Sequence, residues 1–283
     1  MVLALFRVVA PDGASGLASG TVDAGPRSML GGVTLDDALG GRGPTVAELA
    51  AAQGDPVPDG AVLAAPVDTQ EIWAAGVTYL RSRDARVEEA IEPTPYDRVY
   101  EAERPELFCK CAGWRVRGPG DPVAVRADST WDVPEPELTL VLDAWARIVG
   151  YTIGNDVSSR SIEGENTLYL PQAKTYDGSC AIGPAIVPVG EVEPPFTIRM
   201  TIERGGAIVY DETTSTAEMK RPFQELASYL GQALTFPVGA FLMTGTGIVP
   251  DPPFRLEARD AVRIAIDGLG TLENVVERLA PRA

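Results

Sequence analysis

W-D-V-P-E-P-E-L-T-L-V-L-D (residues 131–143) and G-Y-T-I-G-N-D-V-S-S-R-S-I-E-G-E-N-T-L-Y-L-P-Q-A-K (residues 150–174) bracket the stretch around which the chain is organised. Glu135 and Glu137 stand two residues apart. On an extended strand such residues face the same side, with Cα atoms about 6–7 Å apart. Pro134 and Pro136 hold the segment extended, because each fixes its own φ and disfavours helix at the residue before it. Prolines are excluded from the interior of a central strand, so the segment reads as an edge, a bulge or the start of a strand. Leu138–Leu142 then reads as a buried strand, and Ile148–Ile153 as a second one. Gly154-Asn155 reads as a tight turn that delivers Asp156. Three carboxylates from two adjacent strand ends can converge on one hard cation, and an all-oxygen set suits Mg²⁺, with Mn²⁺ or Ca²⁺ as alternatives. An E-x-E pair is also what a solvated strand face looks like in an acidic chain, and spacing alone does not separate the two readings.

Working outward, the composition is that of a globular protein. The 283 residues are 45% hydrophobic and 23% charged, enough for one large domain or one large and one small. The formal net charge of −16 repels nucleic acid and anionic membranes, so neither is an expected partner. It also repels an anionic substrate unless a cation waits in the pocket. The first ten residues lack the basic start and long apolar run of a signal peptide. Three cysteines, Cys109, Cys111 and Cys180, fit reduced thiols in a cytoplasmic protein. The chain has no histidine. That removes the commonest general base and every Ser-His or Cys-His nucleophile pair.

In chain order, Leu3–Val9 reads as a strand and residues 45–53 as a short helix. D-P-V-P-D-G (55–60) is a turn-rich linker, so residues 1–65 are expected to form a small N-terminal domain and 66–283 the catalytic one. Ile72–Thr78 reads as a strand, 81–90 and 97–102 as helices. On the strand P-E-L-F-C-K-C (105–111), Glu106 and Lys110 share a face, as do Cys109 and Cys111. Glu163 reads as solvated. Phe196, Ile198, Met200 and Ile202 alternate, and Gly205-Gly206 turns the chain back in a hairpin. Ser215–Glu218 reads as a capping box. Phe223, Leu226, Ala227 and Leu230 keep helical spacing up to Gly231. Val262, Ile264 and Ile266 form a further strand. Strands and glycine turns dominate the second half, which fits a mixed β-rich fold.

P-E-P-E-L, G-Y-T-I-G-N-D-V-S-S-R and L-P-Q-A-K together resemble the metal-binding core of the fumarylacetoacetate hydrolase superfamily. E-N-T-L-Y-L-P-Q-A-K-T-Y-D-G-S-C-A-I-G-P (165–184) is most similar to its 2-keto-3-deoxy-pentonate dehydratase branch. The resemblance spans residues from about 65 to the C-terminus. It implies a β-rich α+β fold, a mixed β-roll or barrel, and a homodimer or homotetramer. It implies that Glu135, Glu137 and Asp156 hold the metal, that Lys174 approaches metal and substrate, and that Thr246 in L-M-T-G-T-G (242–247) contacts the substrate carboxylate. Tyr79, Arg81 and Ser82 fall in the region after G-V-T-Y (76–79) that covers the site in relatives, and are candidate substrate contacts. The hydrolases carry a His and a Glu there; the matching positions here are Ser82 and Ala85.

A 2-keto acid chelates Mg²⁺ through carboxylate and keto oxygens, which acidifies C3. With a hydroxyl on C4, elimination of water can follow without an activated water. Hydrolysis of a C–C bond needs one, and the histidine that makes it is absent. The expected reaction is therefore dehydration of a 2-keto-3-deoxy-pentonate, a small 2-keto sugar acid, to 2,5-dioxopentanoate in oxidative pentose breakdown, with Lys174 and Glu106 as the proton-transfer groups. The alternatives are a C–C hydrolase or decarboxylase of 2-keto acids, and a non-catalytic metal-binding relative.

Overall fold

The computed structural model describes residues 1–83 and 96–281. The strands are β1 (Leu3–Val9), β2 (Ser15–Thr21), β3 (Gly25–Leu30), β4 (Asp55–Pro56), β5 (Val62–Ala64), β6 (Glu71–Gly76), β7 (Glu106–Ala112), β8 (Val123–Val125), β9 (Asp132–Val133), β10 (Pro136–Leu142), β11 (Ile148–Asp156), β12 (Ser158–Ser159), β13 (Cys180–Pro188), β14 (Thr197–Arg204), β15 (Ala207–Ser215), β16 (Ala240–Met243), β17 (Ala261–Ile266) and β18 (Gly270–Arg278). Among the described residues, eleven of them form one sheet, in the order β4-β3-β2-β1-β13-β11-β10-β16-β6-β7, with β5 on β1. A five-stranded sheet runs β15-β14-β17-β18-β8, and β12 pairs with β9. The fold is β-rich α+β. Both large sheets are open paths, so the expected closure into a barrel is not found among the described residues.

β10 lies between β11 and β16, and all seven of its residues are buried. Leu138, Leu140 and Leu142 point into a core shared with Ile198, Met200, Val262 and Ile264 of the smaller sheet. Val141, on the other face, packs in a second core with Phe241, Ile186 and Met243. The helices α1 (Leu35–Leu39) and α2 (Val46–Ala51) close that second core with Leu35, Leu39, Val46 and Leu49. A strand covered on both faces reads as a continuous apolar run rather than an alternating one. β14 covers one face only and alternates: Ile198, Met200 and Ile202 are buried while Thr197 and Arg199 are exposed. Truncating a fully buried leucine such as Leu140 to alanine costs about 2–5 kcal/mol.

Several local expectations change. Of the three readings of the proline segment, the start of a strand holds: Pro136 is the first residue of a central strand, the position where its missing N–H does least harm. Asp156 does not follow a turn; β11 runs through Gly154 and Asn155 and ends on it, with β13 pairing alongside. Thr45 caps α2 in a full capping box with Glu48, so the helix starts at Val46 and stops at Ala51. Ser215 caps only a short 3₁₀ turn, Thr216–Glu218, ahead of the longer helix at Phe223–Gly231. Residues 80–83 are helical, the rest of the expected 81–90 helix lies outside the described residues, and α3 covers Tyr96–Glu101. Cys109 is exposed and Cys111 buried, because β7 is bulged against β6 and strict alternation fails between them. The first 65 residues add β1–β5 to the same large sheet, through β1 on β13 at Leu5 and Ile186.

Candidate metal centre and active site

The site begins with two strand ends. β10 and β11 pair with Pro136 opposite Asn155 and Glu137 opposite Gly154. The Asp156 N–H donates to the Glu135 carbonyl at 2.9 Å. Gly154 lets the strands close here, since a Cβ would lie 2.4 Å from Thr139 Oγ1. This register brings carboxylate oxygens of Glu135, Glu137 and Asp156 within 4.8 Å of one another, all buried. Glu137 also accepts the Gly245 N–H at 2.5 Å. Gly245 has φ +87°, and a Cβ there would lie 2.1 Å from Thr78 Oγ1, so the turn after β16 admits no side chain at the point where it meets Glu137.

Cations surround the trio. Lys174 ends the helix α5 (Leu170–Lys174), which has proline in its first turn, and is 2% exposed. Its ammonium donates to Glu135 Oε2 at 2.8 Å, Asp156 Oδ2 at 3.0 Å and Ser158 Oγ at 2.6 Å. Lys110, fully buried, ion-pairs with Asp156 Oδ1 at 2.5 Å and donates to the carbonyls of Val157 and Lys174. Arg160 opens the helix α4 (Arg160–Glu165); it lies 3.2 Å from Glu135 Oε1 and 3.9 Å from Glu163 Oε2. Four buried carboxylates thus meet three buried cations. Burial pushes the Glu137 carboxyl well above the usual carboxylate range, and the neighbouring Asp156 and Glu135 charges add to the rise. Burial of like charges at this density is costly without further positive charge. An all-oxygen trio with excess negative charge fits a hard divalent cation, held by Glu135, Glu137 and Asp156.

A cavity opens over Glu135, Asp156 and Lys174, and Ser82, Glu106, Arg160, Glu163 and Thr246 also line it. Glu106 reaches it from the start of β7, opposite Gly76. A Cβ on Gly76 would lie 2.1 Å from Glu106 Oε2, so the glycine makes room for that carboxylate. Ser82 Oγ donates to the Tyr79 carbonyl at 2.8 Å. Thr246 Oγ1 donates to the Ile248 carbonyl and accepts its N–H, at 3.2 and 3.1 Å.

Three candidates are not among the lining residues: Glu137, which meets the turn after β16, Tyr79 and Arg81. Tyr79 is 1% exposed and its ring lies against Gly247; burial pushes its hydroxyl well above the ordinary tyrosine range, and the Glu137 and Glu218 charges add to it. Arg81 pairs with Asp251. Three residues bear on the site that sequence reasoning did not place there. In the sequence Lys110 stands out only as sharing a face with Glu106, and Arg160 only as the last residue of G-Y-T-I-G-N-D-V-S-S-R, with no role of its own. Glu163 is 3% exposed rather than solvated, because α4 turns it inward beside Arg160. The position matching the hydrolase glutamate, Ala85, lies outside the described residues.

Comparison with known proteins gives the same picture. Residues 71–277 match the fumarylacetoacetate (FAA) hydrolase C-terminal family. A probable 2-keto-3-deoxyxylonate dehydratase of Haloferax volcanii is 55% identical over 213 residues, 75% of this chain and 73% of that protein. The 2-dehydro-3-deoxy-D-arabinonate dehydratase of Saccharolobus solfataricus is 42% identical over 219 residues, 75% and 74% of the two chains. The structure of a 2-keto-3-deoxy-D-arabinonate dehydratase complexed with magnesium and 2,5-dioxopentanoate superposes with a TM-score of 0.85 at 35% identity, covering 98% of this chain and 99% of that one. By sequence and by fold, this chain belongs to the fumarylacetoacetate hydrolase family, closest within it to the 2-keto-3-deoxy-pentonate dehydratase branch.

Proposed function

We propose that the chain is a Mg²⁺-dependent hydro-lyase that converts a 2-keto-3-deoxy-pentonate to 2,5-dioxopentanoate and water. One observation carries the reading: of the buried trio Glu135, Glu137 and Asp156, the first and last share a cavity wall with Lys174 and Glu106, in a chain without histidine. The dehydratase relatives and the magnesium complex support the substrate class and the ion.

Mg²⁺ on the trio supplies a Lewis acid for the keto oxygen and positive charge for the substrate carboxylate. The rest falls to side chains. A proton leaves C3 and hydroxide leaves C4, together one water, to give a C3–C4 enone that still carries the C5 hydroxymethyl. Loss of a C5 proton and return of a proton to C3 give the terminal enol, which takes a proton at C4 to become the C5 aldehyde. Lys174 gives its N–H groups to two carboxylates and a hydroxyl, and the same hydroxyl donates onward to the Asp156 carbonyl. That arrangement is one of an ammonium, so Lys174 is assigned the proton donor to the departing C4 hydroxyl. Glu106, placed across the cavity by Gly76, is assigned the base at C3. Thr246 and Ser82 remain candidate contacts to the substrate. Tyr79 and Arg81 are not lining residues and would act through their neighbours.

Hydrolysis of a C–C bond needs a water deprotonated near C4, and Ser82 cannot do this near neutral pH. A non-catalytic relative has no use for a proton donor held over the metal trio. We also expect a homodimer or homotetramer, which sedimentation decides. The functional test offers a 2-keto-3-deoxy-pentonate and, separately, a 2,4-diketo acid, each with Mg²⁺ and with chelator. The expected result is an aldehyde from the first, lost on chelation. Pyruvate from the second with no aldehyde from the first overturns the reading.

A further inference from the structure

Resting on the dehydratase reading, we propose that Glu163, positioned by Arg160, selects substrates by accepting a hydrogen bond from the C5 hydroxyl. The argument starts from the polar side chains that line the cavity. Glu135, Asp156 and Lys174 form the metal and proton-donor end. Ser82 and Thr246 each donate the hydroxyl proton to a carbonyl and accept a backbone N–H, so each keeps at most one neutral acceptor position, weaker than a carboxylate. Glu106 is committed to C3. What remains is the pair on α4, Arg160 and Glu163, which are 2% and 3% exposed and line the same cavity. The Arg160 guanidinium stands between Glu135 and Glu163, at 3.2 and 3.9 Å. It therefore ties Glu163 to the metal-holding strand end at a fixed offset, and Ser159 caps the helix that carries both, accepting the Ile162 N–H.

The substrate brings a hydroxyl that must find a partner. Ala75, Val77, Phe108 and Leu170 supply much of the remaining wall, and an alcohol placed against them loses its water. An unsatisfied buried hydroxyl is costly. A carboxylate has about four acceptor positions, enough to keep Arg160 and take one hydroxyl proton. Sites of this kind reject analogues that lack the hydroxyl far more strongly than apolar pockets reject a missing methylene. Glu163 thereby distinguishes a 2-keto-3-deoxy-pentonate from the same acid without oxygen at C5.

The experiment compares two substrates under saturating Mg²⁺: a 2-keto-3-deoxy-pentonate and 4-hydroxy-2-oxopentanoate, which lacks the C5 hydroxyl and yields 2-oxopent-3-enoate on loss of water. The readout is the ratio of their kcat/KM values, followed by aldehyde and by enone absorbance. Wild type is expected to prefer the hydroxylated substrate by about 10²-fold or more. In Glu163→Ala that ratio is expected to fall at least tenfold, because the loss on the hydroxylated substrate exceeds the loss on the 5-deoxy one. Glu163→Gln preserves volume and one neutral acceptor, and the ratio is expected to fall about threefold to tenfold, because a charged acceptor bonds more strongly. If Glu163→Ala does not fold, Glu163→Gln decides by the same ratio. A ratio unchanged from wild type, or an equal fall on both substrates, overturns the proposal. Wild type that dehydrates neither substrate defeats the dehydratase reading instead.

Discussion

Replacing Lys174 with methionine keeps most of the buried stem and removes the ammonium. Three acceptors lose their donor: Glu135 Oε2, Asp156 Oδ2 and Ser158 Oγ. Lys110 and Arg160 still face Asp156 and Glu135, so the carboxylates are under-compensated rather than bare. Removing one partner from a buried ion pair costs about 3–5 kcal/mol. For a chain of this length 1 kcal/mol moves Tm by roughly 2 °C, so the metal-free variant should melt about 6–10 °C below metal-free wild type. Mg²⁺ should then raise the Tm of the variant more than that of wild type, since the ion and the ammonium share two carboxylates. Turnover should fall by about 10²–10⁴-fold with Mg²⁺ bound, as for loss of a positioned acid or base. The assays are calorimetry with chelator and with Mg²⁺, Mg²⁺ titration, and aldehyde production. Wild-type melting in chelator together with wild-type turnover would make Lys174 a bystander and refute the reasoning.

Glu137→Gln should weaken Mg²⁺ binding by more than tenfold, measured by calorimetric titration, while raising metal-free stability, because the carboxylate it removes is buried among like charges. Gly76→Ala places a Cβ against the Glu106 carboxylate; kcat should drop about tenfold or more with Mg²⁺ affinity unchanged, and equal losses of both would contradict the role given to Glu106. Away from the site, burial pushes the Asp132 carboxyl from the ordinary 3.8 up to about 6. A carboxyl raised on folding binds its proton more tightly in the native state, so its contribution is fullest below about pH 4 and is lost as pH rises through 6. Asp132→Asn should therefore flatten that part of the stability profile and add roughly 1–3 kcal/mol at neutral pH; an unchanged denaturation profile would count against it.

Much of the metal centre was legible in one line of sequence. Glu135 and Glu137 stand at strand spacing beside two prolines, and a strand has only two faces, so both acids share one face; the resemblance, not the spacing, made that face a metal site. Leu138–Leu142 announced its own burial by unbroken apolarity, and the β14 hairpin by alternation and two glycines. The missing histidine removed the commonest general base and so favoured elimination, with C–C hydrolysis left as the alternative. Which local device presents a residue was less legible: Asp156 looked like a turn residue, yet β11 carries it to the end of the strand because β13 pairs alongside.

What only the tertiary structure decided is which charges are buried. Lys110, Arg160 and Glu163 have the composition of a solvated surface, and in a chain with 40 acidic residues that is the ordinary reading of each. Their burial becomes tolerable only through partners distant in sequence: Lys110 with Asp156, Arg160 with Glu135. Likewise the sheet stays open, and β1 joins the catalytic strands, through pairing between residues far apart along the chain. Local sequence sets the period and the chemistry of each element. The free energy that buries a charge, or joins two distant strands, belongs to pairs, and no window of sequence contains both members.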